Sequence, residues 1–374
     1  YCIHGGLENA AQLLDAAADF AGFSQSYREP RELLRAGLYW PGRPVSGLDD
    51  LRACWRADQP IAAVVFYRAL LQAANLAPID ALIEALSERG LNPLPIYCAT
   101  LKDPLCAQMV AQALQTAGAD LVLNTTGFAI SSPGQPRAKT PFDICDGPVL
   151  QVVLAGTSAE HWRGGPQGLS ARDIAMNVAL PEVDGRLLTR AVSFKDAKHY
   201  DELTQCNIVS YVAEHSRVDF VAKLASNWVR LRHQPAAQRN VALVLANYPN
   251  RDGRLGNGVG LDTPAGTINI MHAMREAGYA VAGIPPDGNA LIDILMRGPT
   301  NAAVAARELR EWLPLAAYEK TYATLPQTLR DEVEARWGPP QDDPFFLSDR
   351  QALAVPACRF GRVVVGIQPA RGYN

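Results

Sequence analysis

Between Ile61 and Leu154, short apolar runs alternate with segments of helical pattern, and this alternation limits the possible folds more than any other feature. Ile61–Phe66 is apolar throughout and of strand length, as expected of a strand covered on both faces. The next stretch, 77–89, predicts a helix stopped by Gly90, and 94–97 a strand. A second helix is predicted over 104–116, with Pro104 at its start and Gly118 at its end. Leu121–Asn124 and 149–154 predict two further strands, the latter after a loop rich in Pro and Gly. Strands and helices in this order imply a parallel sheet with helices on both faces. Upstream, Leu7–Phe20 has apolar residues at helical spacing, with Gly22 as its stop. The string Tyr39-Trp40-Pro41-Gly42-Arg43-Pro44 then breaks the pattern, and 49–55 predicts another short helix.

The second half repeats part of this grammar. The stretch 201–233 reads as a long helix or a helix pair, because Val221, Leu224, Trp228 and Leu231 make one apolar stripe. After a polar junction near Pro235, 241–246 predicts a buried strand. A glycine-studded loop follows, then Asp262-Thr263-Pro264 opens a helix by supplying a cap and a first-turn proline. The units beginning at Ile61 and at Val241 share the order strand, open loop, Pro-initiated helix, glycine, second strand. The expected fold is therefore α/β: two related, parallel-sheet, Rossmann-like lobes with helices on both faces, plus a helical N-terminal segment. The expected boundaries are a helical segment at 1–58, a first lobe at 59–200, a helical connection at 201–238 and a second lobe at 239–374. Val363–Ile367 is read as a strand with only seven residues after it and no covering helix, so the chain is expected to be a fragment cut within the second lobe.

Open α/β sheets bind ligands beyond the carboxyl ends of their strands. This rule selects Arg68 after the first strand, Asn124 and Thr125 (with Thr126) after another, and Asn247, Arg251, Asn257 and Asp262 in the loop after Val241. Arg68 and Arg251 suit carboxylate-bearing ligands because guanidinium pairs with carboxylate in bidentate fashion; ties between loops explain them equally well. Gly256-Asn257-Gly258-Val259-Gly260 lies ten residues past its strand, too far for a dinucleotide fingerprint, and the phosphate loop G-x-x-x-x-G-K-[ST] is absent from the sequence. The six histidines show neither H-x-x-x-H nor H-E-x-x-H spacing, so a metal site is unsupported. A net charge of −3 with scattered arginines argues against nucleic-acid binding, and the apolar runs are too short for a membrane span. Seven cysteines without a C-x-x-C pair suggest a reduced, cytoplasmic protein.

An ordered set of motifs adds a resemblance. It comprises His4-Gly5-Gly6-Leu7-Glu8-Asn9, Phe66-Tyr67-Arg68, Asn75–Leu82, Asn124-Thr125-Thr126-Gly127-Phe128 and 150–156. Leu180–Arg186, the string NYPNRDGRLGNGVGLDTP and Gly366–Asn374 complete it. Together they resemble the large subunits of aerobic cobaltochelatases, relatives of the magnesium chelatase H subunit. The resemblance implies a role in ATP-dependent insertion of Co²⁺ into a corrin, hydrogenobyrinic acid a,c-diamide, during cobalamin synthesis. Co²⁺ would be the substrate metal, while ATP and Mg²⁺ would be used by separate AAA+-type partner subunits. Arg371 and Asn374 join the candidate macrocycle-binding residues; Asn374 stands where magnesium chelatase relatives carry Glu. The base that accepts the ring protons is unassigned, and the chain by itself is expected to be inactive. Alternatives are an H-type porphyrin-binding subunit, a non-catalytic scaffold lobe that docks the ATPase partners, and a nicotinamide-dependent oxidoreductase using Asp287 to hold a ribose.

Overall fold

The computed structural model describes residues 1–247, 251–302 and 307–370, with the side chains at 198 and 199 left aside. The chain forms two compact units, Tyr1–Arg232 and His233–Asn374.

In the first unit, α1 (Leu7–Phe20), β1 (Ala36–Leu38) and α2 (Leu48–Arg52) precede β2 (Ile61–Tyr67) and α3 (Arg68–Gln72). Then come α4 (Ala77–Glu88), β3 (Asn92–Cys98), α5 (Pro104–Ala117), β4 (Leu121–Asn124) and β5 (Val149–Ala155). Three short helices, α6 (Ala159–Gly164), α7 (Ala171–Ile174) and α8 (Leu180–Val183), lead to β6 (Leu187–Asp201), β7 (Cys206–Ala213) and α9 (His215–His233). The seven strands form one sheet in the order β1-β3-β2-β4-β5-β6-β7, in which β3 to β6 and β2 run parallel and the two edge strands antiparallel.

Side-chain alternation in β2 builds both layers. Ala62, Val64 and Phe66 enter a core with α4 and the Val218, Val221, Ala225 face of α9, whereas Ala63 and Val65 join Cys106, Val110 and Leu114 of α5. A strand covered twice cannot tolerate charge on either face, which is why β2 reads as an unbroken apolar run. α5 shows its ends in sequence. The Asp103 carboxylate accepts from Leu105 N at 2.9 Å and Cys106 N at 3.5 Å, and Gly118 closes the helix at φ 73°.

The helix expected over 201–233 begins only at His215. Its first part is instead the turn and second strand of the β6–β7 hairpin, with Gln205 at φ 55° in the turn. Val209, Tyr211 and Val212 are strand formers, and the helical stripe that motivated the reading starts at Val221. The 1–58 segment likewise is not wholly helical, since β1 pairs with the edge of the sheet through Ala36–Cys98 to Leu38–Ile96.

The second unit contains β8 (Val241–Leu245), β9 (Asn257–Gly258), β10 (Leu261–Asp262), α10 (Thr263–Glu276), α11 (Gly288–Arg297), β11 (Glu311–Pro314), α12 (Leu315–Tyr322) and α13 (Gln327–Trp337). It ends with β12 (Phe346–Leu347), β13 (Ala352–Val355), β14 (Ala357–Phe360) and β15 (Val363–Ile367). Here β8 and β15 pair in parallel, β14 adds antiparallel to β15, and β11, β13 and β12 make a separate antiparallel sheet. The second strand of the expected repeat, near 279–284, joins no ladder. It makes isolated bonds from Ala282 N to Phe360 O and from Arg362 N to Ala280 O, and Gly283 with Pro285 and Pro286 cuts it short. The α/β class is common to both units, with the parallel sheet concentrated in the first.

Candidate functional site at the carboxyl edge of the first sheet

Register places Asn124 beside Val65 on one side and Gln151 on the other. Asn124 Nδ2 donates to Gln151 Oε1 at 2.8 Å and to the Thr126 carbonyl at 2.9 Å, and Gln151 Nε2 donates to that same carbonyl at 3.0 Å. Thr126 Oγ1 returns a bond to Asn124 Oδ1 at 2.9 Å, and Thr125 Oγ1 donates to Val65 O at 3.0 Å. Asn124, Thr125, Thr126 and Gln151 are all buried. Their polar side chains bond one another and the Val65 carbonyl and so fix the chain that leaves β4, while Thr125 and Thr126 also border the cavities beside it.

That chain is Gly127-Phe128. Phe128 adopts φ 62°, a conformation that costs a side-chain-bearing residue roughly 1–2 kcal/mol. Two bonds hold it: Phe128 N donates to Met176 O at 2.8 Å, and the Tyr67 hydroxyl donates to Gly127 O at 3.0 Å. Met176 lies in a π turn, Ala175–Ala179, between α7 and α8. Such wide turns recur at functional sites because they free carbonyls and re-aim side chains. A Cβ at position 127 would meet Asn177 Oδ1 at 3.0 Å and Met176 O at 3.1 Å, so glycine is needed for the close approach. The consequence is a phenyl ring left half-exposed at the carboxyl edge of a parallel sheet.

Cavities flank this loop on both sides. One, of about 310 Å³, is bordered by Tyr67, Asp173, Asn177, Lys195 and Tyr211. Asp173 is buried and accepts from Gly156 N at 3.0 Å, Ser170 Oγ at 2.8 Å and Asn177 Nδ2 at 3.3 Å. The other, of about 240 Å³, is bordered by Lys102, Thr100, Phe128 and Arg186. Arg186 and Asp184 form an ion pair at 2.8 Å with 1% and 0% of their side chains exposed. Burial alone would raise the Asp184 carboxyl, but the N–H groups of Ile130 and Ser131 and the Arg186 guanidinium outweigh it and hold the group below the usual carboxylate range. Burial in turn draws Arg186 below its ordinary value, against the pull of Asp184. Arg186 Nη1 also reaches the Thr126 carbonyl at 3.3 Å, while its Nε has no partner. The edge therefore presents an aromatic ring between a pocket bordered by Lys102 and a mixed polar one.

Arg68 sits at the end of β2, but its guanidinium donates to the carbonyls of Leu34 at 2.9 Å, Leu33 at 2.9 Å and Ile3 at 3.4 Å, binding the N-terminal segment down. His4 Nδ1 accepts from Leu33 N at 3.1 Å in the same tie. In the second unit, Asn247 is buried after β8, with its Oδ1 unpartnered among the described residues. The glycine loop returns through Gly256 N to Ala246 O at 2.9 Å. It then closes as a small hairpin, in which Asn257 pairs with Asp262 and Val259 is fully exposed. Asp262 caps α10 by accepting from Ala265 N at 3.0 Å, and Asn257 and Arg251 are exposed. Asp287 caps α11 through Ala290 N at 2.8 Å, which explains it without a ribose. Tyr248, Pro249, Asn250, Arg371 and Asn374 lie outside the described residues.

Sequence reasoning missed Asp173, Asn177, Lys195, Tyr211 and Gln151, which come from five separate elements. Only the Leu180–Arg186 motif pointed toward the buried pair. Among the described residues no group of three or more His, Cys, Asp or Glu side chains could hold a metal ion, and no helix is long and apolar enough to cross a membrane.

The family model described as CobN/Magnesium Chelatase matches residues 1–374. The chain is 48% identical over 382 residues to an aerobic cobaltochelatase subunit CobN of a Sinorhizobium species, and 46% identical over 377 residues to the corresponding subunit of Pseudomonas aeruginosa. Each match covers 100% of this chain and 30% of the relative. A solved structure, the catalytic subunit of cobaltochelatase from Mycobacterium tuberculosis, superposes with a TM-score of 0.75 at 32% identity, over 99% of this chain and 30% of that one. The chain thus spans about a third of the length of these relatives.

Proposed function

The chain belongs to the CobN/magnesium chelatase family, and from that membership we propose that it works as part of a cobaltochelatase large subunit, the carboxyl edge of its first sheet contributing to the surface that holds a corrin during Co²⁺ insertion. The observation that carries this reading is identity near one-half along the whole chain with cobaltochelatase subunits. Co²⁺ is the substrate metal in this reading, and separate AAA+-type subunits hydrolyse ATP with Mg²⁺. Metal insertion depends on the rest of the subunit, so the isolated 374-residue chain incorporates no cobalt; measurable incorporation would count against that part.

The edge suits a flat, carboxylate-bearing ring. Phe128 offers a face for stacking, held in place by its backbone and not by its side chain. Lys102 adds a positive charge beside the adjacent cavity, where the Arg186 guanidinium is balanced by Asp184. Among the residues picked from sequence, Asn124 and Thr125 act in this proposal by positioning Phe128. In the second unit, Arg251, Asn257, Asp262, Arg371 and Asn374 stay as candidates for ligand contact.

Titration of the full chain with hydrogenobyrinic acid a,c-diamide, followed by ring absorbance, tests the reading. Saturable binding with a Kd on the order of micromolar is expected, weakened about tenfold by Phe128→Ala for the loss of one stacked ring. Absence of saturable binding, or binding indifferent to Phe128→Ala in a folded variant, would overturn the placement of the macrocycle at this edge.

A further inference from the structure

The second unit carries a cluster that the glycine loop does not involve. Tyr318 and Tyr322 are one turn apart on α12, and their rings stack at 5.5 Å with 16° between planes. The Tyr322 hydroxyl donates to the Arg330 carbonyl at 2.9 Å, fastening α12 to α13. Trp337 ends α13, where Gly338 at φ 75° turns the chain toward Pro339 and Pro340. With Glu334 and Asp343, these rings border a cavity of about 330 Å³.

The charge around it is net negative. Residues 327–343 hold the carboxylates of Asp331, Glu332, Glu334, Asp342 and Asp343 against the guanidinium groups of Arg330 and Arg336. Asp343 is oriented by accepting from Phe345 N at 2.8 Å, whereas no hydrogen bond or ion pair engages the Glu334 carboxylate among the described residues. An anion would meet repulsion here, and an apolar ligand would bury carboxylates at a cost. Aromatic faces beside carboxylates attract cations, and a planar guanidinium can stack on a ring while forking to a carboxylate. The site already shows this chemistry: Arg336 lies 4.9 Å over the Trp337 ring.

We propose that the Tyr318, Tyr322, Trp337 and Glu334 cage receives an arginine side chain of a partner protein. The stacked tyrosines supply the face, Glu334 the counter-charge, and the acidic surroundings draw a basic segment toward it. This docking role is independent of where the macrocycle binds.

The test uses the full chain labelled with ¹⁵N. Its six tryptophans give separate indole signals, and Trp337→Phe identifies that of Trp337. Acetyl-Gly-Arg-Gly-amide is expected to shift the Trp337 indole saturably, while the citrulline counterpart, isosteric but uncharged, leaves it in place. Glu334→Gln should weaken the response about fivefold to tenfold without altering other indole signals. Equal shifts from the citrulline peptide, or an unchanged affinity in Glu334→Gln, would overturn the proposal. Free guanidinium as effective as the peptide would assign the cage to small cations and rule out the partner side chain.

Discussion

Asp184 and Arg186 show how a few side chains set the behaviour of the first unit. Two charges this far from water are tolerated because each is the other's partner and because the amides of Ile130 and Ser131 complete the carboxylate's shell. Asp184→Asn would leave the guanidinium buried without its counter-charge, and a loss of about 3–5 kcal/mol is expected in urea denaturation. The folded-state pKa of Asp184 is depressed. Its contribution is therefore fully present above the ordinary carboxylate range and disappears as pH falls through the lower folded value. The acid limb of the stability profile should accordingly be shallower in Asp184→Asn than in the parent. Gly127 acts through sterics, not charge. Gly127→Ala pushes a methyl to 3.0 Å from Asn177 Oδ1, and it should shift the near-UV signal of Phe128 and its neighbours while leaving the far-UV spectrum intact.

The elements divide according to whether their ends are marked locally. α5 carries its own punctuation, an aspartate cap, a first-turn proline and a left-handed glycine, so its bounds were readable to within a residue. Asp103→Ala removes the cap and also the 2.5 Å pair with Arg35, and a loss of about 1–2 kcal/mol is expected, read as a lowered urea midpoint at constant m-value. The β6–β7 hairpin lacks such signals. β7 is exposed along much of its length, its turn carries Gln205 at φ 55° where glycine would have been a cue, and its apolar residues run on into the true helical stripe of α9. A window that spans both reads as one helix. The strand expected near 279–284 failed for a different reason: Gly283 with Pro285 and Pro286 cuts it short, and beside it lies a turn in which Gly361 comes so close that a Cβ would lie 2.5 Å from Ala280 O.

At the scale of the molecule, each unit has its own apolar centre. That of the first is the double layer around β2, and that of the second gathers Met271, Leu291, Phe360 and Val365. Residues 1–238 expressed alone should therefore fold with a single cooperative thermal transition, monitored by circular dichroism; a gradual, non-cooperative melt would show that the first unit depends on the second. The sequence by itself determined the α/β class, most strands and helices of the first unit, and the ordered motifs shared with cobaltochelatase large subunits, because periodicity, caps and short motifs are local properties of the chain. Only the tertiary structure decided that Arg68 spends its donors on the N-terminal carbonyls, that Asn124 and Thr125 brace a loop, and that Phe128, Asp173, Asn177, Lys195 and Arg186 come together at one edge. Those outcomes depend on strand order and register, which bring residues distant in sequence to within hydrogen-bonding distance, and no spacing along the chain encodes them.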